Sequence, residues 1–210
     1  MPTRSLSPLE RDALREVANI GAGHAATALS QLTGGRIMIS VPEVMLVQLD
    51  NLPDVVGPLE TPVVAIVMRV MGDFTGTTVV IYRQTSAHSL CGLLLHHPEP
   101  GGAAPGLGFN PMEQSTLKET GNILCSAYLN ALSDFLGMML LPSVPEFVVG
   151  PAGAVLTRSR LQAQSFQNPV FCVETAFRIE GSERSHTAQF LLLPDPASLD
   201  VILDAIHLAS

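Results

Sequence analysis

Two short runs carry an acid and an amide at the same spacing, Glu16-x-x-Asn19 and Glu119-x-x-Asn122. Residues three apart on a helix lie about 60° apart and one turn along, so each carboxylate would stand beside its amide. A carboxylate offers a charge-assisted bond to a cation. A carboxamide both donates and accepts hydrogen bonds and does not titrate near neutral pH, so it orients a bound group rather than moving a proton. Asp12 and Ser115 lie one turn before the two acids, on the same faces. Asn is not favoured inside helices, because its side chain competes for backbone hydrogen bonds. Its recurrence at one register in two helices asks for more than solubility. Gly21, Gly23 and Gly121 lie close by. A glycine within a helix costs about 1 kcal/mol against Ala. That cost predicts a close approach by another backbone, from the fold or from a partner.

Other chemistries find no support in the pattern. His96-His97 has no third ligand at useful spacing, and the six His include no H-x-x-x-H, so no metal site is expected. No G-x-S-x-G, phosphate-loop or dinucleotide fingerprint occurs. The Gly-rich run 101–108 follows no strand and lacks Lys. Cys91, Cys125 and Cys172 are widely spaced in apolar stretches and read as small core residues rather than a disulfide framework. That usage suits a reducing, cytoplasmic setting.

The elements that must hold the acid–amide pairs are written twice. Residues 7–46 align with 110–149 at a constant offset of 103. Ser7-Pro8-x-Glu10 matches Asn110-Pro111-x-Glu113, Ala28-Leu29-Ser30 matches Ala131-Leu132-Ser133, and Ser40-Val41-Pro42-Glu43 matches Ser143-Val144-Pro145-Glu146. The back halves pair at an offset of 109, with Arg69-Val70-x-Gly72 facing Arg178-Ile179-x-Gly181. The duplication predicts one domain over 1–210 with pseudo-two-fold symmetry. Its two repeats, about 7–97 and 110–209, are joined by a Gly/Pro-rich linker, 98–110.

Each repeat opens with a helix whose N-cap is Ser7 or Asn110, with Pro at N1 and Glu at N3, a capping box. Leu14, Val17, Gly21, Ala25, Ala28 and Leu32 then form one stripe, as do Leu117, Gly121, Leu124, Ala127, Ala131 and Phe135. Gly34 and Gly137 are plausible stops. The acid–amide pairs fall opposite these stripes and should face solvent. Strands are predicted near 36–49, 62–72, 75–83, 139–149, 168–180 and 186–193, and further helices near 86–97 and 196–209. The order argues an α+β fold: an antiparallel sheet, two long helices carrying the pairs, and two further helices.

The 210 residues carry nineteen acids against eleven bases, a net charge of −8 with neutral His, which disfavours nucleic acid and acidic membrane surfaces as partners. The first twelve residues lack an apolar core, so no signal peptide is predicted. The apolar run 62–82 is broken by Arg69, Gly72, Asp73 and Gly76 and reads as two strands rather than a membrane span.

Taken together, Asp12-x3-Glu16-x2-Asn19-x22-Pro42 and Ser115-x3-Glu119-x2-Asn122-x22-Pro145 resemble the motif of the CheC/CheX/FliY family of chemotaxis phosphatases. The resemblance covers nearly the whole chain. It implies hydrolysis of the aspartyl phosphate of a phosphorylated CheY-type response regulator. In that reading Asn19 or Asn122 holds the attacking water in line, and Glu16 or Glu119 pairs with the regulator's active-site Lys. Asp12 and Ser115 either orient the Glu or touch the partner, and Pro42 and Pro145 are structural. The chain needs no cofactor of its own, since Mg²⁺ belongs to the regulator's acidic pocket. The resemblance also admits an alternative, a non-catalytic adaptor that binds and restrains CheD, the receptor deamidase. A monomer is expected, because the duplication supplies the two-fold mate that a single-copy relative finds by dimerising.

Overall fold

Ser7 starts the first long helix as its sequence requires. The computed structural model describes residues 7–41, 43–48, 51–95, 108–163, 170–179 and 185–209. Pro42, His96, His97 and linker residues 98–107 lie outside that set. Helix α1 spans Pro8–Thr33; the Ser7 hydroxyl accepts from the Glu10 N–H at 3.2 Å, and the Glu10 carboxylate accepts from the Ser7 N–H at 2.7 Å. The chain continues through β1 (Ile37–Ser40), β2 (Val44–Val47), α2 (Leu52–Val56), β3 (Pro62–Gly72), β4 (Gly76–Arg83) and α3 (Gln84–Leu94). The second long helix, α4 (Pro111–Leu136), repeats the box: the Asn110 side chain accepts from the Met112 and Glu113 N–H groups, each at 2.9 Å. Then follow β5 (Leu140–Pro142), β6 (Glu146–Pro151), α5 (Ala152–Ala163), β7 (Val170–Ile179), β8 (Ser185–Pro194) and α6 (Pro196–Ala209).

Both long helices stop where a glycine turns left-handed, Gly34 at φ 68° and Gly137 at φ 65°. Only glycine adopts that conformation without strain. The repeated Ala-Leu-Ser then ties helix to strand. Ser30 Oγ donates to the Ala26 carbonyl at 2.7 Å and accepts from the Ile37 N–H at 2.9 Å. Ser133 Oγ likewise donates to the Met138 carbonyl.

The eight strands among the described residues join one antiparallel sheet with path β1-β7-β8-β4-β3-β5, β2 also pairing β7 and β6 also pairing β3. Its centre is the β4–β8 ladder, from Gly76↔Pro194 to Tyr82↔Ala188. Short strands β1 and β2 lie on the long strand of the other repeat, and β5 and β6 do the same in return. The two-fold pattern is thus closed by exchange.

One sheet face carries Val64, Ile66, Met68, Val80, Phe177 and Phe190 under α1, α3, α4 and α6. Each such fully buried side chain contributes about 1.5–3 kcal/mol of transfer free energy. The other face carries Val63, Ala65, Val67, Val79, Ile81 and Leu191 under α2 and α5. These two short helices correct the expected count of four helices to six among the described residues. The unbroken burial of 63–68 explains them: a strand apolar on both sides needs cover on both sides. The single strand expected over 36–49 is instead two, β1 and β2, separated by residues 41–43.

Candidate functional site

On α1 the inward side is Leu14, Val17, Ala18, Gly21, Ala22, Ala25 and Leu29. The expected stripe holds as far as Ala25. Beyond it Leu29 takes the core position, Ala28 is half-buried and Leu32 is 58% exposed. Because α1 packs on both the sheet and α4, its buried arc is wider than one stripe, which draws in Ala18 and Ala22. On α4 the expected Leu117, Gly121, Leu124, Ala127 and Ala131 are buried, and Phe135 packs partly buried against the core.

The helical glycines divide by role. A Cβ at Gly21 would stand 2.6 Å from Tyr128 Cδ1 and 3.1 Å from the Ala127 carbonyl oxygen, so α1 and α4 touch there. A Cβ at Gly121 would meet the Ile66 side chain at 2.8 Å, so α4 rests on β3 at that point. Gly23 has nothing within 4 Å of its added Cβ and lies exposed on the outer face of α1.

On those outer faces stand the sequence-predicted residues. Asp12, Glu16 and Asn19 are exposed on α1; Ser115 and Glu119 are exposed on α4, and Asn122 is half-buried. Among the described residues none gives Glu16, Asn19, Glu119 or Asn122 a side-chain hydrogen bond or ion pair. Their bonding capacity is left for an external group. Pro145 immediately precedes β6, so the single strand expected over 139–149 is instead two, β5 and β6.

The first turns of both helices are braced from outside. His207 of α6 lies 3.3 Å from Glu10, and His88 of α3 lies 3.7 Å from Glu113. His88 also stacks on Phe109, ring centroids 4.0 Å apart. Hydrogen bonds from the Ser7 backbone and hydroxyl, helped by His207, hold the Glu10 carboxyl below its ordinary range. Burial pushes the Cys91, Cys125 and Cys172 thiols up to about 12, so they are inert core groups. Among the described residues no cluster of three His, Cys, Asp or Glu could hold a metal ion, and no helix is long and apolar enough to cross a membrane.

One neighbour of the second pair escaped the sequence reading. Lys118 is the chain's sole lysine, stands directly before Glu119, and lines a groove between α4 and the turn from β5 to β6. Its rarity and position were the available signals.

The chain belongs to the CheC-like family. That family's model matches it twice, over residues 9–46 and 112–149, the same two segments at the same offset as the internal repeat. The chain is 34% identical over 197 residues to the CheY-P phosphatase CheC of Bacillus subtilis (strain 168), covering 94% of this chain and 93% of that one. Its fold is similar to Thermotoga maritima FliY (TM-score 0.77, 20% identity, 99% of this chain and 100% of that one). It is also similar to FliM in the FliM–SpeE complex from Helicobacter pylori (TM-score 0.69, 15% identity, 98% of each chain).

Proposed function

We propose that this chain is a phosphatase of a phosphorylated CheY-type response regulator. The observation that carries the reading is the pair of Glu-x-x-Asn faces, in register on two long helices, turned outward and without partners among the described residues. The relative named CheY-P phosphatase CheC, similar over nearly its full length, supports the substrate class.

An aspartyl phosphate is a mixed anhydride. Water attacks phosphorus, the P–O bond to the acyl group breaks, the departing carboxylate needs no proton, and the water's proton leaves with the released phosphate or to solvent. The enzyme's task is therefore placement. Asn19 or Asn122 accepts from the water and donates to a phosphoryl oxygen, fixing the water in line; a Gln does comparable work in GTPases. Glu16 or Glu119 pairs with a lysine of the regulator and sets the register. Asp12 and Ser115, one turn upstream, orient the Glu or touch the partner. Any Mg²⁺ is the regulator's own.

The test is phosphate release from the phosphorylated regulator. Asn19→Ala with Asn122→Ala should lower the catalysed rate by about a hundredfold or more, the scale of a misplaced reactant. Each single variant should keep the share of the intact face. A double variant that releases phosphate at the unmodified rate would falsify the assignment.

A further inference from the structure

The second pair does not stand on a bare helix. A groove of about 680 Å³ opens beside it, lined by Val67 and Arg69 of β3, Gln114 and Lys118 of α4, and residues 143–147 around the β5–β6 turn. That size accommodates a short peptide segment or loop. Lys118 lies four residues before Asn122, hence about 40° around the helix from it and one turn away, on the flank facing away from Glu119. Positions three and four residues either side of Lys118 are Gln114, Ser115, Gly121 and Asn122, so no acid on its own helix can pair with it. Among the described residues Lys118 has no ion pair at all. Arg69 and Glu146 also line the groove, and Glu146 is bonded to Arg158. On a chain of net charge −8, Lys118 is thus a cation without a counter-charge among the described residues. The repeat alignment sets Arg15 against Lys118 and Arg178 against Arg69, and both are exposed.

We infer that this groove is the docking surface for an acidic segment of the regulator bordering its phosphorylated aspartate, with Lys118 as its cationic anchor. The inference rests on the hydrolase reading for the partner's identity. A pocket that holds a phosphoaspartate with Mg²⁺ is rimmed by carboxylates. A cation beside the amide draws that rim toward Asn122 while Glu119 engages a lysine on the other flank. Opposite charges on the two flanks of one helix face fix a single orientation of the partner. Lys118 is thus a positioning residue, and Asn122 remains the group that meets the reacting water.

The test uses the full chain carrying Asn19→Ala, so that turnover reports on the second pair alone. With Lys118→Glu, KM for the phosphorylated regulator should rise at least tenfold, with a smaller change in kcat. Lys118→Arg should bring KM back to within threefold. Added salt should raise KM with Lys118 present and leave it nearly flat with Lys118→Glu. A KM unmoved by charge reversal, or a loss that Arg does not rescue, overturns the inference. Because the chain has one lysine, amine acylation read by mass spectrometry at that residue gives an independent arm. The beryllofluoride-activated regulator should slow acylation of Lys118 at least fivefold, and an unchanged rate overturns the inference. An unsubstituted chain that releases no phosphate counts against the hydrolase reading instead, and the acylation arm then decides the groove; an active unsubstituted chain whose Asn19→Ala variant is inactive overturns the inference, because the second pair then turns nothing over.

Discussion

Two glycines of α1, two residues apart, should respond to the same substitution with opposite signs. Gly23→Ala adds a methyl where nothing lies within 4 Å. It gains helix propensity and should stabilise the protein by about 1 kcal/mol. Gly21→Ala gains the same propensity but places its methyl 2.6 Å from Tyr128 Cδ1 and 3.1 Å from both Tyr128 Cα and the Ala127 carbonyl oxygen. The ring could swing away, but the backbone of α4 cannot yield without moving the helix. Tyr128 is itself held, its hydroxyl 2.8 Å from Thr175 Oγ1 and its ring 4.9 Å from that of Phe190. Overpacking of this kind costs about 1–3 kcal/mol. The net for Gly21→Ala therefore runs from near zero to about 2 kcal/mol destabilising, and the gap between the two variants is about 1–3 kcal/mol. In a chain of this size that is a difference of roughly 2–12 °C in Tm. Urea unfolding at constant m-value, paired with thermal melts, reads it directly. If Gly21→Ala stabilised as much as Gly23→Ala, the claim that α1 and α4 meet at Gly21 would fail.

Two further outcomes follow from the titratable groups. The Glu10 carboxyl is held below its ordinary value of 4.5 in the fold, so the unfolded chain binds its proton first as pH falls. Its contribution is complete above that value and is lost as pH drops through the folded pKa. Glu10→Gln should therefore flatten the fall of the urea midpoint below about pH 4.5, and parallel wild-type and variant curves would contradict the cap bonding. Cys91, Cys125 and Cys172 are buried with thiols raised to about 12, so an aromatic disulfide reagent at pH 8 should modify none in the folded protein and all three in urea. One fast-reacting thiol under native conditions would show a core more open than described.

Much of this was legible in the chain because the signals were local. Pro after Ser7 or Asn110 with Glu at N3 announces a capped helix, and Gly34 and Gly137 end those helices as expected. The strands 62–72 and 75–83 emerged within a residue of their predicted ends, since Gly and polar residues bound them sharply. Helix α5 was missed because its buried apolar side chains among the described residues, Ala152, Val155 and Leu156, are too brief a run to stand out from a loop. Helix α2 has five residues and just two, Leu52 and Val56, in the core. Helix periodicity did place Glu16 and Asn19 opposite the core. It carried no information about the groove that Arg69 and Lys118 both line, because that lining is drawn from both repeats.

The strand exchange is the feature no local signal could supply. The repeats are alike, so β1 and β2 have two long strands of similar character to choose from, and periodicity cannot rank them. The chosen pairing has a consequence for the site. Beside Asn122 the groove takes Val67 and Arg69 from the first repeat and Gln114, Lys118 and residues 143–147 from the second. Half of the chain could form a capped helix with Glu119 and Asn122 on its face, but not the β3 wall of the groove that Lys118 lines. That wall is held in place by β6 pairing along β3, from Pro62↔Pro151 to Val67↔Glu146, and by the Arg69 N–H donating to Ser143 Oγ at 3.0 Å. Duplication here does more than double a helix face: it makes each repeat furnish part of the other's surroundings, which ties the second site's integrity to the folding of both halves.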